Sequence, residues 1–403
     1  MNTQLVVIGS GPGGYAAAFL AADLGMEVTL IDRQKQLGGV CLLRGCIPSK
    51  TLLHVAKVIA DAEHASDWGV SFGKPKIDLD VLRARKQKVV DTLTAGLKQL
   101  GSRRKVRVIQ AVATFEDSRS LRLQPVGDDT LDDNVLHFEN CILATGSSPV
   151  MIPALQIRSE RVINSTGALR LVDVPESMLV VGGGYIGLEM ATVYAALGTK
   201  VSVVELTEGL LPGVDRNLVK PMQKRLEKKL HAIHLNTKVV AMVGCGDSIE
   251  VQFEGPSEMP VQRFSKVLVC VGRKPNSGRL GLENTKVQLD EHGFVKTDDR
   301  QRTADEHIMA IGDVAGEPML AHKASHQGKV AVEVLAGKDV SFDPKAIPAV
   351  VFTDPEIAWA GLTETEAKAQ GRKVEVAQFP WLASGRAQTV GRTEGLTKWL
   401  IDP

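Results

Sequence analysis

Two cysteines, Cys41 and Cys46, sit with four residues between them in GGVCLLRGCIPSKTLLHVAKVIA. A thiol pair at that spacing can close a small disulfide ring and open it again. Pro48 is a favoured residue near a helix start, and an apolar-periodic run follows it. A cysteine at a helix N-terminus is poised as a thiolate, because the macrodipole favours the anion. Two other chemistries compete for these residues. A zinc site would take about four ligands, and neither a second cysteine pair nor a His-x-His cluster accompanies this one. Two inert buried thiols would not need Gly38-Gly39 before them, Gly45 between them and Pro48 after them. The balance favours a redox-active disulfide and no metal. Cys141, Cys245 and Cys270 are left as inert thiols.

A redox disulfide needs an electron partner, and the chain carries the same dinucleotide signature twice. Residues 5–33 read LVVIGSGPGGYAAAFLAADLGMEVTLIDR, and residues 178–206 read MLVVGGGYIGLEMATVYAALGTKVSVVEL. One ungapped shift carries Gly9, Gly11 and Gly14 onto Gly182, Gly184 and Gly187, and Asp32 onto Glu205. The first glycine of each set permits a tight turn and the second lets backbone approach a pyrophosphate. The third lets the helix pack close to its strand, N-terminus toward the phosphates. The acid closing the second strand accepts a hydrogen bond from a ribose hydroxyl. A lone glycine triplet is a weak signal. Two in register, each with strand, helix and acid, predict two bound dinucleotides.

Nicotinamide exchanges hydride, a disulfide exchanges electrons through thiolate attack, and a flavin does both. One site is therefore expected to hold FAD and the other a nicotinamide dinucleotide. The disulfide closely follows the first motif, which makes that domain the flavin domain. Glu205 repels a 2′-phosphate and no arginine follows until Arg216, so NAD is favoured over NADP.

The elements that must position these groups read as α/β: two Rossmann-like dinucleotide-binding domains, then a last domain of short strands and turns around one helix. CILATGSSP (141–149) and VLVCVGRKPN (267–276) are apolar strands that each end in a glycine turn and a proline. HIMAIGDVAG (307–316) is a further strand with Gly312-Asp313 at its tip, leading into a helical stretch. The expected partition is a first nucleotide domain over 1–149, a second over 150–272, a return to the first over 273–342, and the last domain over 343–403. In that last domain TETEAKAQG reads as helix, and Trp359 and Trp381 read as core. The basic run within MQKRLEKKL reads as a solvated helix face.

At 403 residues the chain is too long for one ordinary core. A net charge of +1 argues against nucleic acid or an acidic membrane surface as the main partner. No apolar run approaches the ~18 residues of a membrane span. Met1 leads almost directly into LVVIGSG without a basic n-region, so a cytoplasmic location is expected.

GSGPGGY, CLLRGCIPSK, ATGSSP, GGGYIGLE, VGRKPN, AIGD and MLAHKASHQG follow one another along the whole chain. In that order they resemble the pyridine nucleotide–disulfide oxidoreductase family, and within it most nearly the dihydrolipoyl dehydrogenases. The resemblance implies oxidation of protein-bound dihydrolipoamide with reduction of NAD, in a 2-oxo acid dehydrogenase or glycine cleavage complex. A lipoyl-bearing protein and a second copy of the chain are the implied partners. It further implies a flavin stacked between nicotinamide and disulfide, with Cys46 as the charge-transfer thiol and Cys41 as the exchange thiol. Lys50 would lie near the flavin and pair with Glu189, and Tyr185 would be the gate that nicotinamide displaces. Asp313 would hold the ribityl chain and the Ala321 backbone a flavin carbonyl. Ala113 stands where the family usually has a glycine against the adenine, and Asp32 replaces the commoner glutamate. Arg33, Gly38, Gly39, Cys41, Lys50, Thr145, Gly146, Met319 and Leu320 complete the implied FAD set. Tyr185, Ile186, Glu189, Val239 and Gly272 join Gly182, Gly184, Gly187 and Glu205 in the implied NAD set. His54 and His322 fall near the flavin by the same resemblance, with packing or hydrogen bonding as their expected role, and His231 and His234 read as surface.

The sequence also departs from the family. The resemblance makes 343–403 an incomplete α+β dimerisation domain: the family's last domain closes with a His-Pro motif and a glutamate that serve the partner's disulfide as general acid–base, and residues up to Pro403 include neither. A shortened chain is expected to keep NADH oxidation by artificial acceptors, to lose most dihydrolipoamide turnover and to dimerise weakly. Other members remain as alternatives: a glutathione-type reductase would prefer NADP, and a mercuric reductase carries further terminal cysteines. A flavin-binding diaphorase without dithiol turnover is a third. A soluble transhydrogenase lacks the first redox cysteine, which Cys41 argues against.

Overall fold

The computed structural model describes residues 1–127, 131, 133–256 and 260–402. They form two compact units, each assembled from three stretches of chain. One comprises Met1–Pro48, Ala84–Pro149 and Arg273–Pro344; the other comprises Ser49–Arg83, Val150–Gly272 and Lys345–Pro403.

In the first unit the strand Asn2–Ile8 runs between Val28–Asp32 and Val135–Leu143, parallel to both. Its LVV run is buried on both faces, as a central parallel strand under two layers requires. Arg107–Asp117 extends the sheet on one side and Ile308–Ala310 on the other, again in parallel. The two long strands outgrow this sheet and pair antiparallel with Ser120–Pro125. Asn2–Ile8 therefore stands at the switch point of a doubly wound sheet, where its carboxyl end opens onto a crevice. The helix that follows, Pro12–Asp23, is built of small residues and lies close to the helix Ala321–Leu335. A Cβ on Gly13 would fall 3.0 Å from the Ala324 carbonyl oxygen, and one on Gly328 2.7 Å from that of Gly13. Only glycine lets the backbones come this near.

The second unit repeats the plan. Ser177–Val181 lies between Lys200–Val204 and Lys266–Val269, with Ala232–His234 and Val162–Ile163 outside them, all parallel. Its core is Met178, Val180, Leu188, Val201 and Val203, joined by Leu52 and Leu53 of the helix Cys46–His64 and by Val351 and Ile357 of the last stretch. Truncating a fully buried residue such as Leu188 to alanine would cost about 2–5 kcal/mol. A three-stranded antiparallel sheet, Lys238–Cys245, Ser248–Glu254 and Gln262–Phe264, shares a second core with the parallel sheet, where Ile249, Val251 and Phe264 meet Leu179, Val204 and Val267.

The last stretch forms two ribbons, Ala349–Val351 with Ile357–Trp359 and Glu375–Pro380 with Leu396–Ile401. Between them lies a short helix, Glu364–Ala369, started by a reciprocal capping box of Thr363 and Glu366. Trp359 is half-buried against the core of the unit. Trp381 is not core: it is exposed, lies across the bare backbone of Gly395 and donates its indole N–H to Thr397 Oγ1 at 3.0 Å. The basic helix face is likewise only partly solvated. Lys224, Lys228 and Lys229 are exposed. Arg225 instead turns in to Asp354, its Nε and Nη2 both donating to Oδ2, at 3.1 and 2.9 Å, as charge-assisted bonds. No helix among the described residues is long and apolar enough to cross a membrane.

Candidate active site

At the first glycine turn Gly9 takes φ +106°, and a Cβ there would lie 2.3 Å from the Ala144 carbonyl oxygen. A Cβ on Gly14 would lie 1.8 Å from the Gly9 carbonyl oxygen, whereas one on Gly11 would meet nothing within 4 Å. Gly11 caps the 12-residue helix Pro12–Asp23 without a side-chain bond to its first amides. An open cradle ahead of an uncapped helix N-terminus suits a pyrophosphate. Asp32 closes the turn, accepting from Ser10 N at 2.8 Å and Ser10 Oγ at 2.7 Å on one oxygen and from Gln34 N at 2.8 Å on the other. Arg33 is exposed beside it. Ala113 is buried in the strand Arg107–Asp117.

Gly38 and Gly39 fold back on this turn. Gly38 N donates to the Ser10 carbonyl at 2.9 Å, and a Cβ on Gly39 would fall 2.6 Å from the Gly11 Cα. The cysteines come next, on two helices rather than in a loop before one. Cys41 is half-buried within Gly39–Arg44, and Cys46 is the exposed first residue of Cys46–His64. Gly45 makes the break, since a Cβ there would press the Val40 carbonyl oxygen at 2.8 Å. Burial first, and then the charge of Cys41, raise the Tyr15 phenol on the glycine-motif helix. Arg44 is pulled down by burial and then by Arg33, with Asp32 opposing. Cys141 is fully buried and its thiol is pushed well up by burial; Cys270 is pushed up to about 12 the same way.

Asp313 is held by a chain of donors. Arg273 Nε donates to Ser147 Oγ at 2.7 Å, and Ser147 Oγ donates to Asp313 Oδ2 at 2.5 Å. Thr145 and Asn276 exchange bonds of 2.9 Å, and Asn276 N donates to the Gly146 carbonyl at 2.9 Å, tying the two glycine–proline turns together. Under the Asp313 loop, the buried Lys323 donates to the Gly316 carbonyl, and Gln327 accepts from Gly312 N at 2.9 Å. Met319 and Leu320 lead into Ala321 at the start of the next helix. His322 on that helix and His54 on Cys46–His64 are exposed.

The second glycine turn has the same geometry. Gly182 takes φ +110°, a Cβ on Gly187 would lie 2.2 Å from the Gly182 carbonyl oxygen, and one on Gly184 meets open space. The buried Glu205 accepts from Gly183 N at 2.6 Å, and from Thr207 N and Thr207 Oγ1 at 2.8 Å each. Arg216 is no phosphate ligand here: its guanidinium donates to the carbonyls of Leu210, Leu211 and Val214. Tyr185 and Ile186 open the following helix, with Tyr185 exposed. Val239 is buried in the antiparallel sheet, and Gly272 takes φ +121° where Val150 N bonds its carbonyl. His231 is exposed and His234 half-buried.

Lys50, one turn after Cys46 on its helix, places Nζ 3.0 Å from both carboxylate oxygens of Glu189. Glu189 is buried, and its Oε1 also accepts from Phe352 N at 3.2 Å. Phe352 turns its ring to Lys50, with 4.3 Å from Nζ to the ring centroid. Sequence reasoning missed Phe352, Ser147, Arg273, Asn276, Lys323 and Gln327. Arg273 and Asn276 carried a signal, as polar residues inside the repeated glycine–proline shape. Phe352 carried none, and Lys323 looked like any lysine on an amphipathic helix. Among the described residues no cluster of three or more His, Cys, Asp or Glu could hold a metal ion.

With this geometry, comparison with known proteins is specific. The pyridine nucleotide-disulphide oxidoreductase family matches residues 3–328, and its dimerisation domain matches residues 347–403. A dihydrolipoyl dehydrogenase of Haemophilus influenzae is 47% identical over 402 residues, covering 100% of this chain and 83% of the relative. One from Bacillus subtilis is 41% identical over 399 residues, covering 99% and 84%. Among solved structures, LpdA from Mycobacterium tuberculosis superposes with a TM-score of 0.89 at 27% identity, covering 99% of this chain and 86% of that one. The HOCl-induced flavoprotein disulfide reductase RclA from Escherichia coli gives 0.86 at 29%, again covering 99% and 86%. Two dinucleotide turns, a cysteine pair and these matches along the full length agree: the chain belongs to the pyridine nucleotide-disulphide oxidoreductase family.

Proposed function

We propose that the protein is a dihydrolipoyl dehydrogenase: it oxidises dihydrolipoamide to lipoamide and passes the electrons to NAD, releasing NADH and one proton. The observation that carries this reading is the cysteine pair beside the first of two equivalent dinucleotide turns, in a chain 41–47% identical to dihydrolipoyl dehydrogenases over its whole length.

The open cradles at Gly11 and Gly184 fit two dinucleotides. FAD would be held at Gly9, Gly11, Gly14, Asp32 and Asp313, and NAD at Gly182, Gly184, Gly187 and Glu205. When bound, the flavin supplies a carrier that accepts electrons from a thiolate and delivers hydride to nicotinamide. The residues of this chain do the rest. A substrate thiolate attacks the Cys41 sulfur, the Cys41–Cys46 bond breaks, and Cys46 leaves as a thiolate stabilised by its helix N-terminus. The second substrate thiol attacks the mixed disulfide at the substrate's own sulfur, forming lipoamide and freeing Cys41. Cys41 is half-buried, and Gly45 sets the break between the two helices that carry the pair. We assign the Lys50–Glu189 pair to the hydride-transfer half of the reaction, where Glu189 holds Lys50 Nζ in place. Glu205, its oxygens oriented by Gly183 and Thr207, binds the ribose of NAD and repels a 2′-phosphate.

The dimerisation-domain match and the exposed Phe379, Leu382 and Trp399 of the last stretch suit a second copy of the chain. The lipoyl group would come from the carrier domain of a multienzyme complex. The test is a single turnover under anaerobic conditions. Dihydrolipoamide should reduce the flavin-loaded protein, and NAD should then reoxidise it with formation of NADH. Reduction by glutathione with reoxidation only by NADP would refute the assignment.

A further inference from the structure

The Lys50–Glu189 pair has a third member that motif and resemblance leave unassigned. Phe352 belongs to the stretch that matches the dimerisation domain, yet it touches both charges. Its backbone N–H donates to Glu189 Oε1 at 3.2 Å, and its ring stands 4.3 Å from Lys50 Nζ. The turn that carries it is fixed. Thr353 Oγ1 donates to the Pro355 carbonyl at 2.8 Å. Asp354 takes Arg225 on one carboxylate oxygen and Arg392 on the other. These cations, with burial opposing them, hold the Asp354 carboxyl below its ordinary range. The turn is thus anchored from both sides, and Phe352 is half-buried against the core of the unit.

A lysine ammonium one-third exposed would ordinarily sample several rotamers, and a single carboxylate does not fix its direction. An aromatic face attracts a cation through its quadrupole and repels water from that side. We propose that Phe352 is a positioning residue for the redox reaction: its ring and its N–H together lock the Lys50 ammonium against Glu189. The role in the reaction rests on the assignment of that ion pair to hydride transfer; the locking itself does not.

Two variants separate the ring's charge distribution from its bulk. Phe352→Leu keeps apolar volume and the backbone N–H but has no quadrupole, and Phe352→Trp keeps an aromatic face. Acylation of Lys50 by a small amine-reactive ester, followed by peptide mass spectrometry of the 403-residue chain, reads the locking. Lys57, exposed on the same helix, is the internal standard. Phe352→Leu should raise Lys50 labelling relative to Lys57 about fivefold, as expected for loss of a partly exposed cation–π contact. Phe352→Trp should stay within about twofold of the parent. In the flavin-loaded protein, Phe352→Leu should also slow the first-order reduction of flavin by saturating NADH more than it weakens NADH binding. Equal labelling in parent and Phe352→Leu would overturn the proposal, as would equal gains in the leucine and tryptophan variants. Altered labelling with an unaltered reduction rate would overturn the role in the reaction while leaving the contact standing. If the parent takes up no flavin, the labelling comparison still decides the locking, and the failure falls on the functional reading.

Discussion

Single residues here do chemistry only after their neighbours have fixed them. Glu205 has both carboxylate oxygens occupied by donors from Gly183 and Thr207, so it is oriented before any ligand arrives. Glu205→Gln leaves one of those donors facing an amide NH₂. A buried donor left unpaired costs about 1–3 kcal/mol. The expected outcome is NADH binding weaker by about tenfold or more with flavin content unchanged, read by fluorescence titration; unchanged NADH affinity would remove Glu205 from the site. Lys323 makes a second case, where pH is the probe. Burial lowers its ammonium from 10.5 to about 8, against the opposing pull of Asp313 and Glu317. Below about 8 both folded and unfolded chains hold the proton, and the full burial penalty acts on the folded state. Between 8 and 10.5 only the unfolded chain holds it, so stability rises with pH across that window. Relative to Lys323→Met, the parent should therefore gain in unfolding midpoint from pH 7 to pH 10. A flat difference would show that the ammonium is not penalised there.

At the scale of elements, each nucleotide helix is tied to its strand by glycines whose Cβ positions are already taken, at Gly14 and Gly187. The last strand is held differently, by charge. Lys398 is buried among Asp215 Oδ2 at 2.8 Å and Glu364 Oε2 at 2.7 Å, and Asp215 also accepts from Glu364 N at the start of the short helix. These contacts raise Lys398 and lower both acids, although burial pulls Lys398 and Asp215 the other way. Removing one member strands the buried partner, so Lys398→Met should cost about 3–5 kcal/mol in denaturant unfolding. A loss under ~1 kcal/mol would mean the cluster is no stronger than a surface pair. The α/β plan and its repetition were legible because both rest on local rules: apolar runs, glycine turns and a closing acid at fixed spacing. What was not legible depends on distant chain. Lys50 and Glu189 lie 139 positions apart and were linked by resemblance alone. Phe352 sits beyond the whole second nucleotide segment, in a turn with no motif. Arg225 and Trp381 depart from the usual environments of a basic helix face and a tryptophan, because here the Asp354 carboxylate beside the helix and a bare glycine backbone decide otherwise.

At the scale of the whole molecule, one chain carries two dinucleotide turns and one cysteine pair. In the proposed reaction NADH and the Cys41–Cys46 disulfide exchange two electrons. Under anaerobic conditions, NADH, a proton and the disulfide should yield NAD and two thiols. Alkylation after flavin-loaded protein meets NADH, read by mass spectrometry site by site, measures this directly. NADH should uncover Cys41 and Cys46 together, NADPH should do so far more slowly, and the labelling of Cys141, Cys245 and Cys270 should stay as before. NADH oxidation with no gain in labelling at Cys41 and Cys46, or equal labelling of the pair without NADH, would contradict that exchange.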